Sequence, residues 1–158
     1  MARLVRRRAE QRTALRRAGE KRTEYLAFLL AGEMYGVHIA LIAEILKPPP
    51  VTEVPRAHPN IMGIVSVRGK LVTVTDLRRR LRVRESPIDS RTRILIVDKG
   101  DELLGLLVDE VRQVYRLAES EIEPANVLGG DQPAHVLGIG RPEGALLVLL
   151  DLRTLVEG

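Results

Sequence analysis

Residues 61–81 read IMGIVSVRGKLVTVTDLRRRL, and their pattern sets the architecture. Ile61 to Val67 and Leu71 to Thr75 are apolar runs of strand length on either side of Arg68-Gly69-Lys70. Such runs around a tight turn, with a glycine free to take positive φ, predict a β-hairpin. Asp76 follows directly. Aspartate is a good N-cap, and Leu77 and Leu81 fall one turn apart on one face, so a short helix is predicted after the hairpin.

Upstream, Tyr25 to Leu30 reads as a buried strand, Ala31-Gly32-Glu33 as a turn and Met34 to Ile39 as the returning strand. Ile42, Ile45 and Leu46 share one face of a predicted short helix, which Pro48, Pro49 and Pro50 stop. Val51 to Val54 is a candidate edge strand. Downstream, Arg82 to Thr92 is a polar connector, and then the plan restarts. At an offset of 69, Leu26, Phe28, Gly36, Val37, Ile39, Ile42 and Ile45 match Leu95, Val97, Gly105, Leu106, Val108, Val111 and Val114. At an offset of 75, Gly63, Gly69, Asp76, Leu77 and Arg78 match Gly138, Gly144, Asp151, Leu152 and Arg153. Val111 and Val114 lie on a short helix or an extended segment, and residues 116–133 are polar and turn-rich.

An internal duplication of this kind predicts two similar small β-lobes. Short strands with frequent turns favour small barrels over a parallel sheet. With one Phe, three Tyr and no Trp, neither lobe has many large aromatics, so packing lobe on lobe is expected to help complete the core. The duplication also sorts residues. Features in both copies, such as Gly63/Gly138, Gly69/Gly144 and Asp76/Asp151, are expected to serve the fold. Features of one copy are candidates for function: Arg68 answers to Glu143, and Glu44 to Gln113.

The charge is uneven. Residues 1–22 hold eight Arg and one Lys against two Glu, a net of +7, so the rest of the +4 chain carries 4 − 7 = −3. The basicity belongs to an N-terminal extension, helical or disordered, over 1–22, and the body spans 23–158. A body without a basic face disfavours nucleic acid as its ligand. Binding of nucleic acid or membrane through the tail is the alternative function. The chain has no cysteine, which removes disulfides and thiolate metal sites. No apolar run approaches the roughly 18 residues needed to span a bilayer.

Catalytic patterns are missing from the sequence. His38, His58 and His135 have no metal-ligand spacing, and there is no phosphate loop, nucleophile elbow or complete dinucleotide fingerprint. The acidic runs Asp109-Glu110 and Glu119 to Glu123 read as solvated faces. No enzyme activity, cofactor, metal or small-molecule substrate is expected.

Four segments together resemble the CheW family of chemotaxis coupling proteins. EYLAFLLAGEMYGVHIALIAEIL (24–46) is similar to the family's opening, and 61–81 to its central signature through Gly63, Arg68-Gly69 and Asp76-Leu77-Arg78. GLLVDEV (105–111) resembles the second-lobe motif, and LGIGRPEGALLVLLDLRTLV (137–156) the closing hairpin and helix. Thr73 stands where the family usually has Pro, and Ser66-Val67 where it usually has Asn-Leu. The resemblance implies a mainly β fold of two pseudo-symmetric, interlocked five-stranded β-barrel subdomains with short helices. It implies a non-catalytic adaptor in the cytoplasm, recruited to membrane-associated receptor arrays. Its partners would be the cytoplasmic tip of a methyl-accepting chemoreceptor and the regulatory domain of a CheA-type histidine kinase. Carried onto this sequence, it points to Glu44, Gly63, Val67, Arg68 and Gly69 as the receptor-binding residues. A chain starting at Met1 favours a stand-alone adaptor over a domain cut from a larger kinase.

Overall fold

The computed structural model describes residues 5–8, 19–125 and 135–156; most of the basic extension lies outside them. The strands are β1 (Arg22–Leu30), β2 (Glu33–His38), β3 (Ile42–Leu46), β4 (Ile61–Val67), β5 (Lys70–Asp76), β6 (Arg93–Asp98), β7 (Leu103–Val108), β8 (Glu110–Ala118), β9 (Ile122–Pro124), β10 (Val136–Gly140) and β11 (Leu147–Leu150). Two short helices, α1 (Leu77–Leu81) and α2 (Leu152–Val156), each follow the second hairpin of a repeat.

The repeats exchange strands. The first sheet has the order β8-β1-β2-β11-β10-β9 and the second β3-β6-β7-β5-β4. Each sheet therefore takes its first hairpin from one copy and its second hairpin from the other. The two hairpins meet at a parallel seam, Val148↔Tyr35 in the first sheet and Val74↔Gly105 in the second. The parallel seams make both sheets mixed, whereas hairpin signals in sequence show only the antiparallel neighbours.

The expected five-stranded barrels are not formed. The sheets have six and five strands and neither closes on itself. In the first sheet, β8 and β9 lie at opposite edges, and a 3-10 turn over Glu119–Glu121 carries the chain between them without a ladder. In the second, Pro48 to Pro50 follow β3 and have no amide to donate. Only Thr52 then bridges to Ile64, with both backbone bonds at 2.8–2.9 Å.

The predicted helix at Ile42 to Leu46 is also corrected. These residues form β3, after a 3-10 turn at Ile39–Leu41, and pair with β6. The edge of β6 offers a ladder to β-branched residues that fit a pleated surface better than an isolated five-residue helix. Val111 and Val114 take the extended alternative, in β8.

Alternation along the strands builds three layers of core. Leu26, Phe28 and Leu30 of β1 and Leu95 and Val97 of β6 point between the lobes, where they pack with Leu77, Leu150, Leu152 and Leu155. Ala27 faces the first sheet's own core with Leu147 and Leu149. Ile94 and Ile96 face the second sheet's with Val72 and Val74. The same alternation in both copies places one row of each central strand in the shared core. Phe28 stacks on Tyr35 there, ring centroids 6.4 Å apart.

His135 fastens the start of β10 to α2. Its Nδ1 lies 2.7 Å from Thr154 Oγ1, and its carbonyl accepts the Asp151 amide at 2.7 Å. Burial, aided by the charge of Arg80 and partly opposed by Asp151, lowers its pKa from the ordinary 6.5. The unfolded chain therefore takes up this proton first, and stability is expected to fall as pH drops through about 6.5. Urea midpoints at about pH 7.5 and 5.5 should differ less in His135→Gln than in the wild type. An undiminished difference would assign the dependence to other groups.

Candidate functional site

Glu44 and Arg68 come from opposite edges of the second sheet, β3 and the β4–β5 turn. The sheet curls enough for Arg68 Nη2 to donate to Glu44 Oε1 at 2.9 Å. A side-chain pair thus spans the seam that no ladder closes. Val67 and Gly63 lie on β4, the edge strand beside the same seam, and Gly69 completes the turn.

Backbone geometry explains the turn. Arg68 has φ 52° and Gly69 φ 79°, the left-handed pair that a two-residue hairpin of this hand requires. Glu143 and Gly144 repeat it in the other lobe, at 53° and 80°. The fold therefore demands a positive φ at position 68 and places no demand on charge. Arg68 is 79% exposed in its side chain and Glu44 29%. An ion pair this open contributes only about 0.2–1 kcal/mol and is readily exchanged for a partner.

Gly63 plays a different part. It is buried, and a Cβ on it would stand 2.3 Å from the Thr52 carbonyl oxygen. Gly138 is pressed in the same way by Glu123. Gly63 shapes the seam by letting the Thr52 segment lie against β4.

A buried ionic group, missed in the sequence, holds the lobes together. Asp76 caps α1 as expected, its Oδ1 accepting the Arg78 amide at 3.0 Å. The Arg78 side chain also folds back on the same carboxylate, with Nε and Nη2 each donating at 3.0 Å. Its Nη1 donates to Asp109 Oδ1 at 3.0 Å and to the Ser86 carbonyl. Asp109 Oδ2 accepts the Ala31 amide at 2.8 Å, which ties in the β1–β2 turn of the first sheet. Asp76 is fully buried and Arg78 4% exposed. The hydrogen bond to Asp76 raises the Arg78 pKa against the opposing effect of burial, and the charges of Asp76 and Asp109 add to it. The signal was available: Asp109 answers to Ala40 in the first copy, a difference between repeats like that at Arg68.

Among the described residues, no group of three or more His, Cys, Asp or Glu is arranged to hold a metal. No described helix is long and apolar enough to cross a membrane.

Residues 24–158 match the family described as CheW-like domain. The chain belongs to the CheW-like family. It is 33% identical over 146 residues to the "Chemotaxis protein CheW" of Bacillus subtilis, covering 92% of each chain. It is 33% identical over 122 residues to the "Protein FrzA" of Myxococcus xanthus, covering 77% of this chain and 76% of that protein. A solved structure, "Crystal structure of scaffolding protein TtCheW from Thermoanaerobacter tengcongensis", has a TM-score of 0.78 at 31% identity, over 87% of this chain and 94% of the other. As a CheW-like protein, the chain is a non-catalytic scaffold that links chemoreceptors to a CheA-type histidine kinase.

Proposed function

We propose that the seam of the second sheet is the receptor-binding surface, with Arg68 and Glu44 as its polar contacts. Val67 and Gly69 flank them, and Gly63 supports the edge strand from beneath. One observation carries this reading: two charged residues that the related positions of the other lobe lack meet as an ion pair at 2.9 Å on an open edge. The first lobe has Gln113 and Glu143 at the related positions, which cannot form such a pair. The partner is the cytoplasmic tip of a methyl-accepting chemoreceptor, and the kinase's regulatory domain binds on a separate face. The protein then works in the cytoplasm at membrane-associated receptor arrays. Residues 1–22 are an extension added to this scaffold, whose domain occupies 23–158.

Arg68→Glu tests the reading. A charged hydrogen bond is worth about 1.5–3 kcal/mol, or about 10- to 150-fold in affinity. Repulsion from Glu44 and from an acidic partner adds to that loss. Calorimetry should therefore show receptor binding weakened by at least this range. Glutamate already occupies the same turn conformation at Glu143, so stability should change by only about ±0.5 kcal/mol. Unchanged receptor affinity in a folded variant would remove Arg68 from the site.

A further inference from the structure

Strand β5 sends its side chains two ways. Val72 and Val74 enter the second sheet's own core. Thr73 and Thr75 therefore lie on the opposite face. There they line a hollow of about 300 Å³ with Leu104 and Leu106 of β7 and Leu155 of α2. Arg80 of α1 lines it too, half-buried, and makes no hydrogen bond or ion pair among the described residues. Neither threonine hydroxyl, nor the Asn60 side-chain amide beside them, has a hydrogen-bond partner among those residues either. His58 Nδ1 accepts the Asn60 backbone amide at 3.1 Å, which leaves the Nε2 proton of the neutral ring as a further donor. The other charges of the hollow pair with each other, Lys99 Nζ lying 3.8 Å from Glu102 Oε1. The hollow thus holds unused donors and one uncompensated positive charge. The repeat shows that the fold does not require them. At the offset of 75, Val148, Leu150 and Leu155 stand for Thr73, Thr75 and Arg80. All three are aliphatic, whereas the three polar groups of this copy turn to one hollow.

We propose that this hollow binds a small organic carboxylate with a short aliphatic body. The planar fork of Arg80 matches a carboxylate in two parallel hydrogen bonds. Thr73 and Thr75 offer hydroxyl donors in the same hollow, and Leu104, Leu106 and Leu155 cover the aliphatic end. Apolar walls exclude water and strengthen the pairing. One uncompensated cation balances one negative charge. A phosphate dianion would bring a second charge with no cation to spare, since Lys99 is engaged by Glu102. The volume of about 300 Å³ stands at the small end of ligand clefts, roughly 300–1,000 Å³. The bound molecule touches β5 and α1 of the first copy and α2 of the second, so occupancy fastens the two copies across their junction. Glu44, Gly63, Val67, Arg68 and Gly69 do not line this hollow, so the inference stands apart from the reading of the seam.

The test titrates hexanoate, hexylammonium and inorganic phosphate, separately, into the full chain by calorimetry. Hexanoate should bind a single site with a dissociation constant of about 1 mM or tighter. Hexylammonium keeps the chain and reverses the charge, and phosphate keeps the charge and has no chain. Each should bind at least about 10-fold more weakly. A ligand of the native state raises the melting temperature, so the protein should melt higher in hexanoate than in equimolar chloride. Arg80→Leu installs the residue that the other copy has there and should weaken hexanoate about 10-fold or more. Thr73→Val, matching Val148, should weaken it about 2- to 10-fold. Arg84→Leu, an equal loss of charge on the exposed connector, should bind within about twofold of wild type. A wild-type chain that does not saturate with hexanoate, or that binds hexylammonium or phosphate as well, overturns the inference. So does full hexanoate affinity in a folded Arg80→Leu. If Arg80→Leu does not fold, Thr73→Val decides, and affinity equal to wild type counts against the site.

Discussion

Arg78→Ala is expected to destabilise the protein by about 3–5 kcal/mol, the usual cost of removing one partner from a buried ion pair. The substitution leaves Asp76 fully buried. Its remaining side-chain cation would be Arg79, 3.5 Å away and itself 38% exposed. Asp109 keeps its bond to the Ala31 amide and loses its charged partner. Because Arg78 joins α1, the connector and the β1–β2 turn, its loss should also loosen lobe against lobe. Arg153→Ala is the matched control. It removes the related arginine of the other repeat, which is exposed, and should shift stability by only about ±0.5 kcal/mol. Urea unfolding of the two variants provides the comparison. Equal, small losses in both would mean that the Arg78 cluster contributes no more than surface charge does.

A second large effect is expected at the related glycines. An alanine Cβ at Gly63 would lie 2.3 Å from the Thr52 carbonyl oxygen, and at Gly138 2.6 Å from that of Glu123. The obstacle in each case is backbone, which cannot rotate away as a side-chain tip can. Gly63→Ala must push the Thr52 segment off β4 and break the two-bond bridge to Ile64. The cost should reach the top of the roughly 1–3 kcal/mol range for overpacking, with Gly138→Ala close behind. Gly69→Ala separates sterics from conformation. Nothing stands within 4 Å of its Cβ, yet its φ is +79°, so it should lose about 1–2 kcal/mol from left-handed strain alone. Denaturation midpoints rank the three. A loss at Gly63 no greater than at Gly69 would show that the bridge gives way freely.

The repeat was the most legible feature of the sequence, and it singled out Arg68 and Glu44 as well as the two-lobed plan. Hairpins, both helix caps at Asp76 and Asp151, and the alternating core rows of β1 and β6 follow from local pattern. Pairing between repeats does not. The parallel seams at Val148↔Tyr35 and Val74↔Gly105 join residues far apart in the chain, and no local signal distinguishes a barrel from two open, strand-exchanged sheets. Ile42 to Leu46 misled because apolar residues at 42, 45 and 46 fit a helical face, while the free edge of β6 decided the outcome. Arg68 and Glu44 were visible as differences between copies, although their contact was not. Arg78 was hidden because both copies carry arginine there; its burial depends on Asp109, which only one copy has.

Reconstitution measures the scaffold role most directly. Membrane vesicles carrying a chemoreceptor are sedimented with a CheA-type kinase, with and without this protein, and the kinase in the pellet is quantified alongside receptor-dependent autophosphorylation. The expected result is that kinase pellets with the receptor, and responds to it, only when the wild-type chain is present. Arg68→Glu should fail to recruit it while still binding the kinase in solution. Recruitment that is equal without the chain, or stable phosphorylation of the chain itself by the kinase, would contradict the role of a non-catalytic link between receptor and kinase.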